Sequence, residues 1–386
     1  MTPKQKGIIL LLKSAITGEK YSLPPEFALE QTVKTVHSQG LTPMAFQGAQ
    51  NCGVPLNHPV MQRWSLSCLK SLCHSERQAL QVQALLEGLA EKGLDHMPVK
   101  GCNLKKLYPS QELRLMGDAD ILIRQEQYSQ VGQVMEALGF QFCSENVHVW
   151  VWQGEDLHVE LHKSLVPPSD KLYYAYYGSG WQLAKKGEGS RYDLSPEDTL
   201  VFLVTHFARH YRHAGIGCRH VVDLFVFRRA YPDIDLAYVE QQLEDLGLKV
   251  FFRNCMRLLE VWFADAQPNA AVDLMTEAIF SGGAWGSVEA KMRSKEVEKG
   301  KGKAPARRGL PLYILFPNRN FLSYRYGILL KYPVLLPVIW VVRWFDILLI
   351  RPQKIKKKLA ILRDMDDDVI NRHRQALLTV GLDLEE

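Results

Sequence analysis

Arg114-Leu115-Met116-Gly117-Asp118-Ala119-Asp120-Ile121-Leu122-Ile123 is the stretch that decides the fold. Its last residues alternate as a strand does, and successive side chains of a strand point to opposite faces. Asp118 and Asp120 therefore share one side, ~7 Å apart along the chain. Ile121 and Ile123 take the other side, available to pack on a helix. Two carboxylates on one face repel unless a cation lies between them, and hard oxygen donors suit Mg²⁺ or Mn²⁺.

Reading outward, His96–Gly101 (HMPVKG) is a short strand entering a glycine turn. Asn103–Pro109 has helical spacing and stops at its proline, and Gln125–Leu138 is helical with Gly139 at its C-cap. Val147–Lys163 alternates on both sides of Gln153-Gly154-Glu155, which is the signature of a hairpin. In its second arm Asp156, His158, Glu160 and His162 fall on one face. Glu160 is thus placed to join the two aspartates as a third carboxylate, with His158 and His162 supporting it. Such a set suits phosphoryl or nucleotidyl transfer with two divalent ions. Lys100, Gly101, Arg114 and Gly117 are the expected nucleotide-binding positions: a glycine turn lets backbone N–H groups approach phosphate, and cations offset its charge.

In combination these pieces resemble the DNA polymerase β-like nucleotidyltransferase superfamily, and more narrowly the bacterial "uncharacterised nucleotidyltransferase" family. That family carries a KG turn, an R-x-x-x-D-h-D-h-h-h strand (h, hydrophobic) and a late h-E-h-H strand. The close match runs from about Pro98 to Lys163, with weaker likeness after Ser195 and after Phe316. The resemblance implies that Asp118 and Asp120 bind metal, that Glu160 is the third carboxylate, and that Gly101 shapes the phosphate turn. It implies an α+β fold with a small mixed-sheet core, an NTP donor with ATP expected, and an acceptor hydroxyl or phosphate that stays open. Gly101 is followed by Cys102 where many superfamily members have serine.

Around the core, residues 1–90 read as a helical N-terminal region and 91–190 as the nucleotidyltransferase core. Residues 191–280 form a helical domain, opened by the start signal Ser195-Pro196-Glu197-Asp198. On it His206 and His210 stand one turn apart; they read as packing at a seam near the nucleotide, a metal site with Asp223 being the rival. Arg209, Arg212 and Arg219 could extend a phosphate-binding face. Residues 281–310 are glycine- and lysine-rich and read as a basic flexible linker. Residues 311–386 form an apolar and basic helical region. Within it Val334–Ile350, followed by Lys354–Lys358 (KIKKK), suits a helix lying at a membrane surface, but packing on the protein's own core is the reading placed slightly ahead.

With 386 residues, 47% hydrophobic and 23% charged, the composition is that of a globular protein and excludes a disordered or fibrous one. A net charge of +5 and the lack of an aromatic–basic motif argue against a dedicated nucleic-acid binder. Seven cysteines without CxxC spacing and a short, lysine-interrupted apolar run at Ile8–Leu12 lead to an expectation of reduced thiols in the cytoplasm; peripheral contact at the inner membrane face is the option that residues 334–358 open.

Overall fold

The computed structural model describes residues 1–213, 215–283, 332–345 and 367–382, with some positions between 316 and 331. The fold is α+β. A five-stranded sheet runs in the order β1(His96–Val99), β2(Ala119–Ile123), β5(His158–His162), β4(Val149–Gln153), β3(Gln141–Glu145). The β2–β5 pair is parallel and the others are antiparallel, so the sheet is mixed. The Val147–Lys163 hairpin forms as β4–β5, with Gln153 opposite His158. Strand β3, and a two-stranded ribbon of β6(Ala184–Lys186) and β7(Tyr192–Leu194), are additions that the sequence reading does not contain. β3 is exposed along most of its length, which leaves it little hydrophobic alternation to read.

The parity of β2 separates two packing layers. Ala119, Ile121 and Ile123 join Val159 and Leu161 on one face. There they meet Leu85 and Leu89 of α4(Pro59–Glu91) and Val131, Val134 and Met135 of α6(Tyr128–Ala137). On the other face Leu122, Met97 and Val99 belong to the larger core, shared with helices α1(Pro3–Thr17), α2(Val33–Ser38), α3(Thr42–Asn51), α7(Lys171–Tyr177), α8(Pro196–His213), α9(Cys218–Ala230), α10(Leu236–Asp245), α11(Lys249–Phe263) and α12(Ala270–Gly282). Asp120 and Glu160 lie on this second face, at the place where α8 and α9 cover the sheet.

Local signals account for the ends of these elements. Thr2 and Gln5 close a capping box around Pro3 at the start of α1, and Gly18 ends that helix at φ 77°. Ser195 Oγ accepts the Asp198 N–H at 3.0 Å, so α8 starts where its cap predicts. The helix expected over Asn103–Pro109 is shorter and begins earlier. One turn, α5(Gly101–Leu104), passes into a 3₁₀ turn over Lys105–Leu107, because the Lys100 carbonyl accepts both the Asn103 and the Leu104 N–H.

The basic stretch 281–310 lies outside the described residues beyond Gly283. Of the apolar segment, the described part forms a helix over Leu336–Phe345. Ile339 packs with Leu322 and Leu329, and Trp340 donates to the Pro317 carbonyl at 2.8 Å. Val334, Val338, Val341, Val342 and Phe345, spaced for one helical stripe, are exposed. No helix among the described residues is long and apolar enough to cross a membrane. The last described helix, Asp367–Val380, returns to the core through Leu377, Val380 and Leu382.

Candidate active site

Register builds the centre of the site. On the parallel strands Asp120 sits directly opposite Glu160, and Ile121 opposite Leu161, so two acids share one face and two apolar residues the other. His162, two residues beyond Glu160, points the same way. Its Nε2 is 2.8 Å from Asp120 Oδ1 and 3.6 Å from Glu160 Oε2. Donor atoms of Asp120, Glu160 and His162 all lie within 4.8 Å of one another, a spacing that one cation can span. Asp118, in the loop just before β2, lines the same cavity without joining that tight group.

A lysine neutralises the cluster from the other side. Lys100 Nζ is 2.7 Å from Asp120 Oδ1, and the Lys100 backbone takes φ 49°, a left-handed value that a non-glycine residue adopts only under constraint. The following Gly101 has no room for a side chain: a Cβ there would lie 2.9 Å from Arg114 Nη1 and 3.4 Å from Met116.

The electrostatics follow from this packing. Burial pushes the Asp120 carboxyl upward, but the Lys100 ammonium and the His162 hydrogen bond outweigh it and hold the group well below the usual carboxylate range. Asp118 moves the opposite way, raised by burial and then by the negative charge of Asp120. One acid is thus fixed as an anion and its neighbour resists ionising, which is the strain a divalent cation would relieve. The donors fit such an ion: carboxylate oxygens from Asp118, Asp120 and Glu160, with an imidazole in addition.

All seven predicted site residues, Lys100, Gly101, Arg114, Gly117, Asp118, Asp120 and Glu160, line one cavity of about 350 Å³. Arg114 holds a different partner from the expected one. Its Nε and Nη2 form a two-pronged pair with Asp223 of α9 at 2.7 and 2.9 Å, and Tyr108 adds a third bond to the same carboxylate. The metal site considered for His206, His210 and Asp223 is accordingly not assembled, since Asp223 is already fully engaged. Of the supporting histidines, His162 does contact Glu160, while His158 bonds to Gln153. Asp156 turns to Arg77 and His74 of α4.

Sequence reasoning did not single out Lys100 as the partner of Asp120, nor His148 behind His162. The ring nitrogens of those two histidines are 3.3 Å apart, and His148 in turn meets Ser164 Oγ at 3.2 Å. Strand parity gives the facing of His162; His148 lies in the alternating run but just before β4, and its meeting with His162 joins residues 14 apart on the two arms. His220 of α9, on the cavity wall, was also missed as a site residue.

A carboxylate-bearing strand pair, a glycine turn and a helical wall around one cleft define the class of a nucleotidyltransferase core. Residues 25–264 match the family model described as "Uncharacterised nucleotidyltransferase". That is more than half of the chain, and the protein belongs to this family. No curated protein matches. Among solved structures, the solution structure of the antibiotic-resistance factor ANT(2'')-Ia is similar over 50% of this chain and 100% of its own. At 13% identity and a TM-score of 0.34, that likeness carries no argument about this chain.

Proposed function

We propose that the protein transfers a nucleoside monophosphate from an NTP, with ATP the expected donor, to an acceptor hydroxyl or phosphate. The observation that carries this reading is the Asp120–Glu160 register, which sets two carboxylates side by side at the mouth of the Lys100-Gly101 turn. Asp118, Asp120 and Glu160 would hold a pair of Mg²⁺ or Mn²⁺ ions, which supply activation of the attacking oxygen and neutralisation of the pyrophosphate leaving group. His162, bonded to Asp120, fixes the orientation of that carboxylate. Gly101 keeps the turn free of a side chain so that phosphate can approach its backbone. Lys100 holds charge balance at Asp120 and is positioned to turn toward phosphate when a cation takes its place.

The test is incubation of the purified full chain with α-labelled ATP and Mg²⁺, reading pyrophosphate release and label transfer alongside Mn²⁺ binding. Asp120→Asn is expected to lower turnover by at least about 100-fold, the scale lost when a centre of this kind is disabled. Asp118→Asn and Asp120→Asn leaving both transfer and metal binding unchanged would overturn the reading.

A second reading concerns place rather than chemistry. The exposed stripe Val334, Val338, Val341, Val342 and Phe345, followed in sequence by Lys354–Lys358, supports peripheral contact with an anionic membrane surface. The full chain is expected to float with phosphatidylserine-containing vesicles and to lose that binding in Val338→Glu/Val342→Glu. Recovery of the wild type only in the soluble fraction removes this reading.

A further inference from the structure

Across the cavity from the carboxylates stands a wall of imidazoles. His206 and His210 of α8 have ring centroids 4.3 Å apart, and His220 of α9 lies 5.8 Å from one and 5.9 Å from the other. All three line the cavity that also holds Lys100, Asp120 and Glu160. His220 Nδ1 is buried there with no hydrogen-bond partner. An unpaired buried polar atom is destabilising, and a ligand atom at that place would satisfy it.

The charges around this wall select the sign of the ligand. Arg219 on α9 faces it, with Arg209 and His210 on α8, Lys100 on the β1 turn and Arg114 before β2; of these, Arg209 is paired with Asp170 and Lys100 with Asp120. The acid on the wall itself, Asp223, is taken by Arg114 and Tyr108; the other acids, Asp118, Asp120 and Glu160, stand on the opposite wall. Burial, then Lys100, holds His206 well below its ordinary value, and burial, then Arg219, does the same to His220. A cation would meet this field unfavourably. The three imidazoles also do not bring their nitrogens to a common point: among the described residues the converging set is Asp120, Glu160 and His162. An oxyanion meets the opposite situation. The unpartnered His220 Nδ1 can meet an oxyanion as a donor, and arriving negative charge favours the protonated form of the neighbouring imidazoles.

We propose that His206, His210 and His220 form a binding site for a phosphate group, facing the carboxylate wall across the cleft. This deepens the nucleotidyltransferase reading and rests on it only for the source of the group. The group belongs either to the triphosphate tail of the nucleotide or to a phosphorylated acceptor.

The site is tested without metal or turnover, by titrating the full chain with sulfate and with inorganic phosphate in EDTA. Sulfate does not titrate between pH 6 and 8, so any pH dependence of its affinity belongs to the protein. Affinity is expected to fall at least tenfold over that interval with net proton uptake on binding, the linkage expected of histidines that charge with the ligand. His206→Gln/His220→Gln is expected to weaken sulfate at least tenfold, and the single His220→Asn serves if the double variant loses thermal stability. Asp118→Asn/Asp120→Asn is expected to keep sulfate binding, so a failed metal site and a failed anion site give different results. Phosphate displaced by a saturating non-hydrolysable ATP analogue with Mg²⁺ assigns the site to the triphosphate; phosphate bound together with the analogue assigns it to the acceptor. Sulfate binding that is absent, pH-independent or unchanged in both histidine variants overturns the proposal, as does stoichiometric Zn²⁺ held by these histidines in place of sulfate.

Discussion

Lys100 balances the charge at the centre of the candidate site. Its ammonium sits on the most buried carboxylate of the cluster, and its backbone is held in a left-handed conformation to reach it. Removing one partner of a buried pair leaves an uncompensated charge, at a cost of about 3–5 kcal/mol. Lys100→Met is therefore expected to lower the melting temperature at pH 7, with Mg²⁺ restoring part of the loss by taking the place of the ammonium. The pH dependence has a definite sign. Asp120 is held below its unfolded value of about 3.9, so its contribution is complete above that pH and disappears as the pH falls through the folded value. Asp118, raised by burial and by Asp120, acts in reverse and opposes folding as it ionises. Mg²⁺ is expected to raise the wild-type melting temperature more at pH 7 than at a pH of about 3.5, below the ordinary carboxylate values, because protons there compete with the ion for the ligands, first at Asp118, whose value is raised. Calorimetric scans at the two pH values, with and without the ion, check both expectations. Equal Mg²⁺ increments at the two pH values would exclude a carboxylate site.

At the scale of elements, the long helix α4 fixes the loops on both sides of the active strands. Gln78 Nε2 donates to the Met116 carbonyl at 3.3 Å and to the Asp156 carbonyl at 3.1 Å, and both bonds are buried or nearly so. One side chain thus ties the approach to β2 to the turn that feeds β5, and so holds the Asp120–Glu160 register from outside the sheet. Gln78→Ala leaves two carbonyls without that partner and is expected to cost about 1–3 kcal/mol. Metal affinity should fall with stability, although Gln78 does not line the cavity. A denaturant midpoint that does not move would mean that the strands hold their register unaided. The strands, their parity and the cap of α8 were legible because each is written in a few consecutive residues. The parallel direction and register of β2 against β5 were not, because α6 and β3 and β4 lie between the two strands in sequence; their adjacency was expected from the chemistry and the resemblance, not from a local pattern.

For the whole molecule, the decisive contact is the Arg114–Asp223 pair, which joins the sheet's leading loop to helix α9 across the cleft. Both side chains are almost fully buried, and Tyr108 satisfies a further position on the carboxylate. Asp223→Leu alone strands the guanidinium and is expected to cost about 3–5 kcal/mol. Arg114→Leu/Asp223→Leu should regain most of that, since buried pairs replaced by apolar side chains of similar size are often neutral. Urea unfolding of the single and double variants separates the two outcomes. Little recovery in the double variant would show that the pair contributes more than the mutual neutralisation of two buried charges.

The sequence by itself determined which residues could be acidic neighbours. A period of two puts Asp118 with Asp120, and Glu160 with His162, and it puts their apolar partners on the reverse face toward α4 and α6. The seven positions that the sequence singled out are also gathered by the fold around one cavity. What only the tertiary structure decided is how the charges pair. Arg114 answers Asp223 rather than open cleft, Lys100 answers Asp120, and three histidines from two helices meet with no acid left free on their own wall. The two ion pairs join residues 20 and 109 positions apart. They are settled by which groups lose water together when the helical layer closes on the sheet, and a one-dimensional pattern holds no record of that.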